Sequence, residues 1–97
     1  MTKKKAVLVP ERVYAQNLPV IIDGEVLVDN LAEREGPSQI KNIVGSFNKG
    51  DKLEIVAVEQ KMKIRFGRLK SMHWIVLSAG SIEYVKETER NPSSLNR

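Results

Sequence analysis

The fold class is decided by residues 52–58, which read Lys52-Leu53-Glu54-Ile55-Val56-Ala57-Val58. Leu53, Ile55 and Ala57 would share one face of an extended strand, because successive strand side chains point to opposite faces. Residues 61–66 repeat the alternation, with Met62, Ile64 and Phe66 on the inward face and Lys61, Lys63 and Arg65 on the outward face. These two segments predict half-buried β-strands, the second followed by a turn at Gly67.

Short apolar segments between turn residues occupy most of the remaining chain. Nineteen residues are Val or Ile, which favour strands. The pair Asp23-Gly24 stands between two apolar runs, and this arrangement predicts a tight hairpin turn. Further strands are predicted over residues 73–77 and 81–85. The chain is therefore expected to be all-β, a small barrel or sandwich.

The 97 residues suffice for one domain with a modest core. We predict an N-terminal extension over residues 1–22, with an extra strand within residues 5–14, and a disordered polar tail over residues 88–97. The chain has no cysteine, so a disulfide scaffold and a zinc-thiolate site are excluded. No apolar run is long enough to cross a membrane or to act as a secretory signal, and we expect a cytoplasmic protein.

Positive charge is concentrated in one segment. The chain carries 16 basic and 12 acidic residues, a net charge of +4. Between residues 61 and 73 there is no acid, and the basic residues there are Lys61, Lys63, Arg65, Arg68 and Lys70. Such a cluster attracts phosphates or carboxylates, although a basic segment also serves simply as a solvated face.

No constellation for catalysis is visible. His73 is the single histidine and has no neighbouring nucleophile motif, so its simplest interpretation is a strand-edge residue beside Trp74. No spacing of ligands for a metal and no glycine-rich phosphate loop occurs. We expect no enzyme activity, no metal and no cofactor.

A series of turn and strand residues runs from residue 23 to residue 87. It reads Gly24-x-Val26-x-Val28-x-x-Leu31-x-x-Arg34-x-Gly36-Pro37-Ser38, then Ile43-Val44-Gly45, the turn Lys49-Gly50-Asp51, Trp74, and Gly80 to Val85. Over roughly residues 23–87 this order resembles the bacterial SH3 (SH3b-like) domain family. The first half is the more specific. It implies a small, partly open barrel that binds ligands without chemistry.

Three departures from the family pattern concern residues that bear on function. Glu33 stands where the family has a core valine, and Tyr84 replaces its closing tryptophan. The segment between Val58 and Trp74 is longer than the family's loop, and the extra length is the basic stretch, interpreted as an extended hairpin.

Two aromatic residues and one arginine are candidates for a binding groove. Trp74 is either part of the barrel core or a groove wall beside Tyr84, since an amphipathic ring suits both. Arg34 either pairs with Glu33 or Glu35 or lines the same groove.

The preferred function is a non-enzymatic module that binds a protein partner through an SH3-like groove, a sheet edge or the basic hairpin. The alternatives are peptidoglycan binding, as the resemblance implies, and nucleic-acid binding through the basic hairpin. A homo-oligomer through the N-terminal strand and an origin in a phage or prophage are further hypotheses. The candidate partner-binding residues are Arg34, Lys61, Lys63, Arg65, Arg68, Lys70, Trp74 and Tyr84.

Overall fold

A computed structural model describes residues 18–90. Every regular element in this range is a strand, so the all-β prediction is confirmed. The strands are β1 (Ile22–Val26), β2 (Leu31–Arg34), β3 (Ile43–Phe47), β4 (Lys52–Lys61), β5 (Ile64–Leu69), β6 (Trp74–Ala79), β7 (Ile82–Glu83) and β8 (Val85–Glu89).

The strands form one antiparallel sheet in the order β3-β2-β6-β5-β4-β1-β8, with the short β7 attached to β6. The sheet is open, with β3 and β8 at its two edges within the described range. Tyr84 links distant parts of it, because its N–H donates to the carbonyl of Leu77 and its carbonyl accepts from the N–H of Leu27, both at 2.9 Å. The sheet therefore curls towards a barrel around one core.

The core lies on the concave side of this curl. As predicted, Leu53 and Ile55 of β4 point into it, at 6% and 0% exposure. A register shift between Ile55 and Ala57 changes the phase of β4, and Val56 becomes buried as well. The other members of the core are Ile22, Val26, Leu31, Leu69, Ile75, Leu77 and Val85.

The predicted hairpin turn at Asp23-Gly24 is wrong. Both residues lie inside β1, where Gly24 is paired with Leu53 on one side and Glu87 on the other. A Cβ on Gly24 would lie 2.8 Å from Cγ1 of Val85, so the glycine is required by close packing between strands and not by a turn.

The basic stretch lies in a hairpin, as predicted, but the turn falls at a different place. It forms a β4–β5 hairpin whose two turn residues, Met62 and Lys63, lie between the paired Lys61 and Ile64. Met62 has φ 56° and is 95% exposed, so its predicted inward position is wrong, whereas Phe66 is buried at 3% exposure. Gly67, predicted to allow a turn, is buried within β5.

The boundary predicted for the polar tail is also too early. Thr88 and Glu89 belong to β8 and pair with Asp23 and Ile22 of β1. The N–H of Arg90 donates to the carbonyl of Ile21 at 3.1 Å. The N-terminal strand predicted within residues 5–14, and residues 91–97 of the predicted tail, lie outside the described residues.

Candidate functional site

The structure separates the predicted basic cluster. Lys61 ends β4, Lys63 lies in the turn and Arg65 lies on β5, so the three do not share one strand. Among the described residues, carboxylate partners are Glu59 for Lys61 at 3.9 Å, Glu87 for Arg65 at 2.9 Å and Glu54 for Lys70 at 3.7 Å. Much of the local positive charge is therefore compensated.

The contact between Arg65 and Glu87 is the best formed of these pairs. Nε of Arg65 donates to both carboxylate oxygens, at 3.2 and 3.1 Å, and Nη2 donates to Oε1 at 2.9 Å. Both side chains are partly buried. The fork geometry fixes Arg65 against β8, so this arginine has a structural role.

Three side chains form a row across the sheet on the side opposite the core, which we call the outer row. Arg34 of β2 is paired with Trp74 of β6, and Trp74 is paired with Arg68 of β5. Directly opposed residues share a face of the sheet, so the outer row runs Arg34, Trp74, Arg68. Ile43 of β3 is also paired with Arg34, but at a register shift that skips Val44, so this pairing does not assign Ile43 to the row.

Trp74 is the centre of the outer row. It is half-buried and is not a member of the core, in contrast to its neighbour Ile75 at 1% exposure. The guanidinium carbon of Arg68 lies 5.6 Å from the centroid of the indole ring, within the range of a cation–π contact. Of the two interpretations of Trp74, the structure therefore supports a place on a surface outside the core.

Arg34 makes a single hydrogen bond to the described residues. Its Nη1 donates to the carbonyl of Lys41 at 2.9 Å. The two glutamates beside it in sequence are directed elsewhere: Oε2 of Glu33 accepts from His73, and Oε1 of Glu35 accepts from Asn42. Between residues 18 and 90, no carboxylate forms an ion pair with Arg34.

A groove beside the outer row is lined by both Arg34 and Tyr84, one of the arrangements that the sequence leaves open. Trp74, placed beside Tyr84 in the groove-wall interpretation, is not among its lining residues. We call this groove the outer groove; its volume is about 340 Å³. Apolar side chains make much of its wall, and the lining residues are Val28, Asp29, Asn30, Leu31, Ala32, Arg34, Gln39, Val76 and Tyr84. Its shape and composition suit an apolar side chain with a polar group next to it.

A smaller hollow of about 200 Å³ lies on the other side of Gln39. It is lined by Pro37, Ser38, Gln39, Lys61, Met62, Ile64 and Phe66. Gln39 lines both hollows, so the loop between β2 and β3 separates two depressions on one surface. The sequence gives no signal for this loop as a binding element, because its Gly-Pro-Ser residues predict only a turn.

The sequence also missed a polar cluster on the opposite side of β2. Nδ1 of His73 donates to Oε2 of Glu33 at 2.8 Å, and Oγ of Ser71 donates to the same oxygen at 3.2 Å. Glu33 and Ser71 line an inner cavity of about 710 Å³, whose floor includes Phe47, Leu53 and Leu69. Glu33 is thus held in a local polar network with His73 and Ser71.

The far rim of the inner cavity carries a network of charges. Arg90 binds a carboxylate oxygen of Asp23 with Nη2, and the same nitrogen lies 3.2 Å from Oε2 of Glu54. The hydrogen bond from Arg90 lowers the pKa of Asp23, and the bonds to Asp23 and Glu54 raise the pKa of Arg90. This network ties the chain after β8 to β1 and β4.

The part of the chain that the structure describes holds no group of three or more His, Cys, Asp or Glu side chains suited to a metal ion. No helix within it is long and apolar enough to span a membrane. No protein-family model matches the chain, and no curated protein or solved structure is significantly similar to it. The outer row and the outer groove are therefore the features that bear on function.

Proposed function

We propose that this protein is a non-enzymatic binding module that holds an extended segment of a protein partner across the outer row and the outer groove. The observation that carries the proposal is the position of Arg34, which is paired with Trp74 in the outer row and lines the outer groove together with Tyr84. Tryptophan, tyrosine and arginine are the residue types that most often dominate the binding energy of protein interfaces.

Exposed apolar residues beside the outer row support a protein as the partner. Ile43, which is paired with Arg34, is 60% exposed, and Val44 and Ile40 nearby in sequence are 43% and 90% exposed. Burial of such side chains against a partner is favourable by roughly 25 cal/mol per Å² of apolar surface. A surface that combines aliphatic, aromatic and guanidinium groups suits a peptide chain better than a phosphate backbone.

The open antiparallel sheet is consistent with the partly open SH3-like barrel that the sequence resembles, and grooves on such barrels take extended peptides. Nucleic-acid binding through the basic hairpin has less support, because Lys61 and Arg65 are partnered by carboxylates. No geometric feature in residues 18–90 favours peptidoglycan as the ligand.

The arrangement around His73 supports a function without catalysis. A serine nucleophile needs its hydroxyl directed to a base. Here the hydroxyl of Ser71 donates to Glu33, and the Nδ1–H of His73 donates to the same carboxylate. The three residues stabilise one another and do not form a nucleophile and base pair.

A peptide selection followed by NMR mapping tests the proposal. A library of short random peptides is selected on the immobilised full-length protein, and selected peptides are added to the ¹⁵N-labelled chain. We expect the largest shifts at the Trp74 indole and at the amides of Arg34, Gln39 and Tyr84. Shifts confined to the inner cavity, for example at Gly24 and Ser71, would overturn the proposal, and so would a failure to select any peptide.

Two substitutions sharpen this test. Trp74→Leu keeps an apolar strand residue but removes the ring, and we expect it to weaken binding at least about tenfold, as loss of a central interface residue does. Lys52→Gln is the matched control, because the side chain of Lys52 is 76% exposed and lines the inner cavity. Equal affinities for wild type and Trp74→Leu would remove the outer row from the binding surface.

A further inference from the structure

We propose that Arg34 forms a carboxylate subsite, so that the partner segment presents an Asp or Glu side chain to Arg34 and places a neighbouring apolar side chain in the outer groove. This inference rests on the proposed function and names the chemistry of its ligand. The supporting observations are the charges around Arg34 and the residues that line the outer groove.

Arg34 differs from two other arginines of the described chain. Arg65 is bound by Glu87, and Arg90 is bound by Asp23 and Glu54. Among residues 18–90, the side chain of Arg34 donates a hydrogen bond only to the backbone carbonyl of Lys41, through one of its five N–H groups. A guanidinium pairs best with a carboxylate through two parallel hydrogen bonds, and Arg34 has donors available for such a pair.

The acidic residues next to Arg34 in sequence are already engaged. Glu33 lies on the other side of the sheet, where it accepts hydrogen bonds from His73 and Ser71. Glu35 accepts a hydrogen bond from the side chain of Asn42 at 3.3 Å. No carboxylate of the described residues therefore pairs with the Arg34 guanidinium, and a ligand carboxylate would supply that partner.

The outer groove determines where the ligand carboxylate lies. Asp29 also lines the groove, and its Oδ1 accepts the N–H of Lys49 at 3.1 Å. Because like charges repel, a ligand carboxylate is favoured next to Arg34 over a position next to Asp29. Val28, Val76 and the ring of Tyr84 supply the apolar wall for the neighbouring ligand side chain.

The half-buried position of Arg34 increases the expected contribution of this pair. Arg34 is flanked by Ile43 and Trp74 on the two adjacent strands. A ligand lying across the row would remove water from the guanidinium, and charge pairs are stronger where water is excluded. Discrimination between a carboxylate and an amide at this position should therefore be measurable.

Two libraries of short peptides, acetylated at the N-terminus and amidated at the C-terminus, test the inference. They are identical except that the central position is Glu in one and Gln in the other, with randomised apolar residues beside it. Equal amounts are offered to the full-length protein, and the captured peptides are quantified by mass spectrometry. We expect the Glu library to be enriched by about tenfold, since tenfold corresponds to about 1.4 kcal/mol.

Variants locate the effect. Arg34→Gln should abolish the preference for Glu, and Arg34→Lys should reduce it because the planar fork is lost. Lys52→Gln removes the same charge from an exposed side chain at the inner cavity and should keep the preference. Equal capture of both libraries by the wild type, or a preference that persists in Arg34→Gln, would overturn the inference, and the wild-type measurement does not depend on the folding of any variant.

A third library with a free C-terminal carboxylate and a central Gln separates the two sources of a carboxylate. Stronger capture of this library than of the capped Glu library would assign the site to a chain terminus and overturn the side-chain assignment. If peptides change the NMR signals of the outer row but show no preference for Glu, only the carboxylate inference fails. If no peptide changes these signals, the proposed function fails as well.

Discussion

Nδ1 of His73 and Oε2 of Glu33 lie 2.8 Å apart, and Oγ of Ser71 donates to the same oxygen. The side chain of Glu33 is only 16% exposed. A carboxylate at such a position is tolerated when hydrogen bonds replace the water it loses. This relationship joins β2 to the connection between β5 and β6, and it fixes the edge of the inner cavity.

Glu33→Ala should destabilise the fold by about 1–3 kcal/mol, because the His73 and Ser71 donors would lose a partly buried acceptor. Urea unfolding measures the effect. Glu35→Ala is the matched control: Glu35 is exposed and should change the free energy of unfolding by no more than about 0.5 kcal/mol. Equal losses in the two variants would mean that the network around Glu33 does not stabilise the sheet.

Gly24→Ala should destabilise the protein by about 1–3 kcal/mol, the usual effect of overpacking a core. The new methyl group would lie 2.8 Å from Cγ1 of Val85, which is fully buried. The same substitution in a Val85→Ala background should cost less, because the colliding atom is gone. Additive losses in this double-mutant cycle would show that the contact with Val85 is not the cause.

The contrast between Gly24 and Leu53 shows which parts of the fold the sequence predicts. The alternation in β4 correctly places Leu53 and Ile55 inside, since a strand with one buried face has a two-residue period. The turn propensity of Asp23-Gly24 is a local signal, and pairing of β1 with both β4 and β8 overrides it. That pairing depends on segments far away in the chain.

The candidate site shows the same limit. The sequence offers Arg34, Trp74 and Tyr84 as candidate groove residues and leaves a core position for Trp74 and an ion pair for Arg34 open. The placement of Arg34 beside Trp74 depends on the β2–β6 pairing, and no local pattern predicts it. The compensation of Arg65 by Glu87, 22 residues later, was equally invisible, so the sequence overstated the basic surface.

Trp74→Ala should cost less stability than Ile75→Ala, although tryptophan is the larger side chain. Ile75 is 1% exposed and lies in the core, so its truncation should cost about 2–5 kcal/mol. Trp74 is half-buried on the outer row, and we expect about 1–3 kcal/mol, below the range for a buried tryptophan. Thermal and urea unfolding compare the two. A larger loss for Trp74→Ala would return Trp74 to the core.

The ion pair between Asp23 and Arg90 should make stability depend on pH. The hydrogen bond from Arg90 lowers the pKa of Asp23 in the folded protein below its value in the unfolded chain. The contribution of the ion pair to stability is therefore fully present above the unfolded pKa of about 3.9. It is lost as the pH falls through the pKa of Asp23 in the folded protein. Wild type should be more stable than Asp23→Asn at neutral pH, and the difference should vanish in strong acid.

A double-mutant cycle with Asp23→Asn and Arg90→Gln isolates this interaction. Urea unfolding of the four proteins, from neutral pH down to about pH 2, gives the coupling free energy at each pH. We expect a favourable coupling at neutral pH that disappears below the titration of Asp23. In the Arg90→Gln background, the effect of Asp23→Asn on the free energy of unfolding should lose the part of its pH dependence that the ion pair causes. A coupling that stays constant or grows as the carboxyl is protonated would contradict the assigned contact, because a neutral Asp23 cannot form the ion pair.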